Sequence, residues 1–300
     1  MPPAVNTDLA SYLHAFTNTY HREQRALSPH TLKSYRDTFK LLIAFLRARH
    51  PASQTLKISN LDPKTLLDFL QHLEQERRNS PATRNQRLVA IQSFFKYVAL
   101  FHPSFERQAK RIAAIPIKRT FRKAAGSLNR QELEALFAQT PTESHDGFRD
   151  LAILVFLYNT GARAQEVADA RISWFDFPNR LVAITGKGNK QRTTPLWPSS
   201  VHLLTRYKDV CRRTPLPIAK DRFFINQRGG PFTRFGIRAI VKKYLKLAAR
   251  KCPSLAQKRL STHSLRHTTA VHLLESRVDP NVIKAWLGHA NVSTTSIYLD

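Results

Sequence analysis

The sequence predicts a mainly α-helical protein with a small antiparallel β-sheet, arranged as an N-terminal helical bundle followed by an α+β domain. Three observations support this. Ser28-Pro29, Asp62-Pro63 and Ser80-Pro81 each place a capping side chain before the residue best suited to the first helical position. Apolar residues after these points recur at helical spacing. Between residues 172 and 195 the pattern changes to short β-rich stretches separated by Pro178-Asn179 and by Gly186-Lys187-Gly188-Asn189, both turn signals.

In order along the chain, a first helix carries Leu9, Leu13 and Phe16. After Pro29, Leu32, Tyr35, Phe39, Leu42, Ile43 and Leu46 form one apolar face. A third helix carries Leu66, Phe69, Leu70 and Leu73, and a fourth Leu88, Ile91, Phe94, Phe95 and Val98. Four amphipathic helices over about a hundred residues make a small bundle, a shape able to clamp a duplex. Between Phe105 and Arg130 the helical pattern weakens. Arg107, Lys110, Arg111, Lys118, Arg119, Arg122, Lys123 and Arg130 are opposed there only by Glu106. We expect a helical domain over residues 1–112, a basic linker over 113–127 and a second domain over 128–300. A charge run is commonly a solvated face, yet a basic connector beside DNA contacts phosphates and adds salt-dependent affinity.

The second domain opens with Asn129 as helix cap and Glu132 completing a capping box. A strongly apolar helix with Leu151, Ile153, Leu154, Val155, Phe156 and Leu157 then stops at Gly161. Stretches 172–177, Leu181–Thr185 and Gln191–Pro195 suggest the antiparallel sheet. The remainder looks helical, apart from Phe223-Phe224-Ile225-Asn226.

The 300 residues are 42% hydrophobic, enough for one large or two ordinary domains with proper cores, and the formal net charge is +27. Such self-repulsion fits a polyanionic partner, nucleic acid first, and argues against an enzyme of small molecules. No apolar run approaches the ~20 residues needed to span a membrane, and no basic start leads into an apolar core, so a cytoplasmic protein is expected. Cys211 and Cys252 are too few and too far apart for a disulfide scaffold or a Cys-x-x-Cys metal site, and are expected to be reduced thiols.

Near the C-terminus, His263-Ser264-Leu265-Arg266-His267, Leu287-Gly288-His289 and Tyr298 set basic and acid/base side chains ahead of one tyrosine. A tyrosine hydroxyl titrates near pH ~10. To attack a phosphodiester it needs a base to take its proton and cations to hold the developing charge. Upstream, Thr160-Gly161-Ala162-Arg163-Ala164-Gln165-Glu166 adds an arginine after a glycine turn, and Gly186-Lys187-Gly188-Asn189-Lys190 adds lysines at a hairpin tip. Arginine suits a phosphate because its planar fork donates two parallel hydrogen bonds and keeps its charge. His263, with Thr262 as expected cap, shares a helical face with Arg266, and Glu166 is placed to orient Arg163 or a neighbour by a charge-assisted bond.

In order, spacing and residue types this set resembles the tyrosine recombinase (phage integrase, Xer-like) family over the whole chain. The resemblance implies a helical core-binding domain and a tyrosine-recombinase catalytic domain. It also implies cleavage of one DNA strand by Tyr298 to a 3′-phosphotyrosine and a free 5′ hydroxyl, with neither ATP nor a metal. Arg163 and Arg266 would grip the phosphate, and Lys187 would protonate the departing 5′ oxygen. Lys190, three positions on, is the competing lysine and otherwise a DNA contact. His263 would assist proton transfer and His289 would support the transition state or place Tyr298. Glu166 and His267 would play supporting parts. Double-stranded DNA at specific sites is the implied partner, with a homotetramer assembled on paired sites.

Related recombinases usually continue past the tyrosine into a segment that docks on a neighbouring subunit. Here the chain ends at Asp300, so assembly is expected to differ if that end is natural. Without an additional N-terminal arm-binding domain, the chain looks Xer-like or like a simple transposon integrase. The rival readings are a type IB topoisomerase, which rejoins the same strand, a non-catalytic DNA-binding relative, and a metal-dependent nuclease. Zinc on His263 and His267, four apart with His272 further on, is disfavoured by the intervening Arg266 and by the lack of a glutamate between them.

Overall fold

The computed structural model describes residues 8–24, 27, 29–49, 55–120 and 126–288, with the backbone alone at 22–24, 29 and 187. The chain divides into two compact units, Met1–Arg122 and Lys123–Asp300.

In the first unit, α1 (Leu9–His14) continues as a wider π-helical segment, Ala15–Gln24, followed by α2 (Pro29–Arg49), α3 (Pro63–Gln75), α4 (Pro81–Phe101) and α5 (Glu106–Ala113). Asp62 and Ser80 accept from the backbone N–H groups of Thr65 and Thr83, satisfying donors that a helix start leaves orphaned. The apolar faces meet in one core, where Phe16, Phe39, Leu42, Leu46, Phe69, Leu88 and Phe94 are buried.

One sequence expectation is corrected here. The helical pattern does not weaken directly after Phe105, because α5 forms there and packs on α4. Its single apolar stripe, centred on buried Ile112, was masked by surrounding charge. Ile115 is also buried in the bundle core, and the Lys118 ammonium reaches Glu74 at 2.7 Å, so the start of the expected linker lies against the bundle.

The second unit contains α6 (Arg130–Phe137), α7 (His145–Thr160), α8 (Ala164–Asp169), β1 (Phe175–Asp176), β2 (Leu181–Thr185), β3 (Gln191–Pro195), α9 (Pro198–Arg206), α10 (Arg234–Lys251), α11 (Pro253–Ala256), α12 (Thr262–Glu275) and α13 (Pro280–Leu287). Asn129 and Glu132 form the expected capping box of α6. Strands β1-β2-β3 are antiparallel neighbours, with Ile184 opposite Arg192 and Thr185 opposite Gln191. Val182 and Ile184 face the core, as the period of two requires.

Two local expectations change. Residues Ile172–Trp174 form a 3-10 turn, which shortens the first strand to two residues. Phe223-Phe224-Ile225-Asn226 is non-helical, as expected; within it Ile225 makes an isolated bridge with Pro231, and its apolar side chains are buried in the core. The segment from Arg212 to Thr233 is mostly irregular instead of helical. No helix among the described residues is long and apolar enough to cross a membrane. Cys211 and Cys252 are free thiols, each partly buried.

Candidate active site

The site is assembled where α7 ends. Gly161 adopts a left-handed conformation, φ 59° and ψ 25°, which an L side chain resists, and its N–H closes the helix on the Leu157 carbonyl at 2.9 Å. This reversal sets Arg163 at the cap position of α8, with Glu166 one turn on. Glu166 Oε2 accepts from the Arg163 backbone N–H at 2.9 Å, and Oε1 from Arg163 Nη1 at 2.7 Å. The same carboxylate takes Arg192 Nη2 of β3 at 2.8 Å.

Glu166 and Arg192 side chains are only 4% and 10% exposed, whereas Arg163 at 40% is open to a ligand. Burial alone would raise the Glu166 carboxyl. The hydrogen bond and charge of Arg192, then the two bonds from Arg163, outweigh that and hold its pKa below the ordinary value. Gly186 at the hairpin lies against this carboxylate, since a Cβ there would come within 2.9 Å of Oε1.

Helix α12 brings the second arginine. Its cap is Ser261, not Thr262: the Ser261 hydroxyl accepts from the His263 N–H at 3.2 Å, and Thr262 is the first helical residue. One turn in, Arg266 is buried, donating from Nη1 to the Gly161 carbonyl at 2.7 Å and from Nη2 to the Leu287 carbonyl at 2.5 Å. Those two bonds fix the plane of its guanidinium.

Arg192 extends the arrangement by donating from Nε to the Trp286 carbonyl at 3.1 Å, and the Thr194 hydroxyl donates to the same oxygen at 3.3 Å. His263 reaches the surface, yet the protein removes enough water from its ring to lower its pKa, and the charges of Arg266, Arg163 and Arg238 lower it further. It is therefore held neutral near neutral pH. His267 is half-buried, and burial lowers its pKa.

Arg163, Glu166, His263 and Arg266, drawn from segments a hundred residues apart, are thus brought together. Lys187 lies in the short turn Lys187–Asn189, where Gly188 has φ 76°, and Lys190 is exposed after it, its carbonyl taking the Gly186 N–H at 2.8 Å. His289 and Tyr298 lie outside the described residues, as do Arg122 and Lys123. Arg107, Lys110 and Arg111 stand on α5, Lys110 pairing with Glu106 at 2.7 Å, and Arg119 is exposed beyond Lys118. Among the described residues no group of three His, Cys, Asp or Glu side chains could hold a metal ion, and His272 meets the Tyr158 hydroxyl at 2.8 Å.

Sequence reasoning missed Arg192 and Arg238. Arg192 carried one weak signal, a cation on the strand face opposite buried Ile184. Arg238 was one of many basic residues on α10.

Comparison with known proteins follows the same division. Residues 126–300 match the phage integrase family, and residues 13–100 match the phage integrase N-terminal SAM-like domain. The y4rC protein of Sinorhizobium fredii, named as an integrase/recombinase, is 37% identical over 298 residues, covering 98% of this chain and 88% of that one. The tyrosine recombinase XerC of Pelobacter propionicus is 32% identical over 299 residues, covering 99% and 91%. Among solved structures, the Tn1549 transposon integrase in complex with transposon right end DNA superposes with a TM-score of 0.74 at 14% identity, covering 96% of this chain and 94% of that one. XerH bound to its difH substrate gives 0.69 at 23% identity, covering 96% and 80%. At these identities the structural likeness speaks for the fold.

Proposed function

Since the chain belongs to the phage integrase family of tyrosine recombinases, we propose that it is a site-specific DNA recombinase that cleaves and rejoins strands through a 3′-phosphotyrosine intermediate. The observation that carries this reading is the convergence of Arg163, Arg266 and a neutral His263 at the end of α7, from motifs far apart in sequence. Two fixed guanidinium groups can bracket one phosphate, and a neutral imidazole can accept a proton.

On this reading the Tyr298 oxygen attacks the scissile phosphorus. A bond forms from that oxygen to phosphorus and the bond to O5′ breaks. The tyrosine proton passes to His263, and Lys187 supplies a proton to O5′. Arg163 and Arg266 take up charge on the non-bridging oxygens in the pentacoordinate state, where preorganised donors act most strongly. His289 supports that state from the C-terminal segment, Glu166 orients Arg163, and His267 supports α12. In the second half, a free 5′ hydroxyl of the partner strand attacks the phosphotyrosine and restores the tyrosine, so the phosphodiester energy is conserved in the covalent bond.

Double-stranded DNA is the partner on this reading, which the charge of +27 supports, and assembly as a tetramer on paired sites is part of the proposal. The basic residues of α5 and of the following segment, with Lys190, would lie along the phosphate backbone.

The test is incubation in EDTA with nicked suicide duplexes carrying the target site, once that site has been located, for instance among any repeats flanking the gene. A covalent protein–DNA band is expected with wild type and not with Tyr298→Phe. A bound duplex that yields no band with wild type refutes the reading, and product topology separates recombination from relaxation of supercoils.

A further inference from the structure

Resting on that reading of the site, we propose that Arg192 is a positioning residue for the cleavage step: its guanidinium ties the carboxylate that orients Arg163 to the end of the helix that leads into His289. Arg192 is 10% exposed, so its charge is spent inside the protein and not on a DNA backbone. Its two bonds run to different elements. Nη2 reaches Glu166 on α8 at 2.8 Å, and Nε reaches the Trp286 carbonyl in the last turn of α13 at 3.1 Å.

Three other contacts turn this pair into a junction. A Cβ at Gly186 would come within 2.9 Å of Glu166 Oε1, so the hairpin that carries Lys187 is seated directly on the carboxylate. Gly288, left-handed at φ 66°, would place a Cβ 2.8 Å from Arg192 Cδ, so the turn after α13 is packed on the arginine stem and admits only glycine. Arg266 in turn holds the next carbonyl, that of Leu287, at 2.5 Å. Two arginines therefore grip consecutive carbonyls at the end of α13, and one of them simultaneously fixes the partner of Arg163.

A planar fork is required for this. Nε and Nη2 are separate donors held in one rigid plane and fix both acceptors relative to one another, while a lysine ammonium, although it carries three donors, is a single rotatable point on a flexible stem and cannot hold the two acceptors in that fixed geometry. Loss of the fork would free α13 and the Arg163–Glu166 pair to move independently. Displacement of reacting groups by about an ångström costs up to roughly a hundredfold in rate without a comparable change in affinity.

The experiment measures single-turnover formation of the covalent complex at saturating protein, the DNA dissociation constant and the melting temperature, for wild type, Tyr298→Phe, Arg192→Lys and Arg192→Gln on the same nicked duplexes. The expected result is a folded Arg192→Lys with affinity within about twofold of wild type and a cleavage rate lower by roughly tenfold or more, with Arg192→Gln slower still. Wild-type rate in Arg192→Lys overturns the proposal. So does a loss confined to affinity, and so does a lysine variant that fails to fold, which would assign Arg192 to the fold alone. Absence of a Tyr298-dependent band in wild type would instead sink the recombinase reading, so the two failures are distinguishable.

Discussion

Replacing Glu166 with glutamine keeps the shape of the side chain and removes its charge, which isolates the junction between Arg163 and Arg192. The carboxylate now accepts three bonds, two at Oε2 and one at Oε1. Glutamine offers one acceptor oxygen, so its amide nitrogen must face a donor. With the oxygen placed at Oε2, the bonds from the Arg163 N–H and from Arg192 survive in neutral-acceptor form, and Arg163 Nη1 is released.

A charge-assisted bond is worth about 1.5–3 kcal/mol and a neutral one about 0.5–1.5 kcal/mol. The buried Arg192 pair therefore loses about 1.5 kcal/mol. Arg163 is 40% exposed, so solvent screening reduces its share to about 0.5 kcal/mol. The expected destabilisation is about 2 kcal/mol at neutral pH. Trp174, Trp197 and Trp286 are the three tryptophans of the chain and all fall in the second unit, so tryptophan fluorescence during urea unfolding reports that unit's transition.

The pH dependence supplies the sign. The folded Glu166 pKa lies below its ordinary value, so its contribution is fully present above the ordinary value of 4.5 and is lost as pH falls through the folded value. The gap between wild type and variant should narrow in that acid window. A change smaller than about 0.5 kcal/mol at pH 7, or a gap that widens in acid, would refute the reasoning.

Three further outcomes follow from the same geometry. Gly161→Ala combines about 1 kcal/mol for a left-handed alanine with about 1–3 kcal/mol for the collision of its Cβ with Leu287 Cδ2, so urea unfolding should show a loss of about 2–4 kcal/mol; a loss below about 1 kcal/mol would mean that the turn is not held as described. Arg238→Gln removes one of the charges that lower the His263 pKa, so that pKa rises toward 6.5 and the acid limb of the cleavage rate moves to higher pH; an unchanged limb would show that His263 is not the group titrating. Glu132→Ala strips a carboxylate, 1% exposed, of bonds to Ser254 Oγ at 2.6 Å, Lys258 Nζ at 2.6 Å and the Asn129 N–H at 2.9 Å. The second unit should lose about 2–3 kcal/mol in the fluorescence-detected transition, and a change within about 0.5 kcal/mol would refute that role.

How much of this was legible in the sequence depends on the distance over which each feature is determined. The caps at Asp62, Ser80 and Asn129 and the stop at Gly161 are satisfied within four residues, so they could be read directly. The β2–β3 hairpin was legible for the same reason, its turn residues and alternation being local. Helix α5 was obscured because charges surround its one buried face at Ile112. In the site, Arg163, Glu166, His263 and Arg266 carry motif context. Arg192 does not, because its acceptors lie 26 and 94 positions away and exist only after folding.

The charge distribution adds a constraint on how such a protein discriminates among DNA sites. Its 21 acidic residues cannot neutralise 48 lysines and arginines, and in the second unit Glu132, Asp150 and Glu166 are buried in ion pairs, that of Glu166 with Arg192 joining α8 to β3. Even with every carboxylate paired to one cation, a surplus of 27 positive charges remains for phosphate. Binding dominated by phosphate contacts is weakly selective and falls steeply with salt, with a slope near 0.9 per neutralised phosphate. Affinity alone therefore separates sites poorly. On the proposed reading, discrimination gains most from the chemical step, where only a phosphate seated between Arg163 and Arg266 is cleaved. Buried Glu166 then acts on function through geometry: by fixing the fork of Arg163 that recognises the transition state, it makes rate more selective than binding.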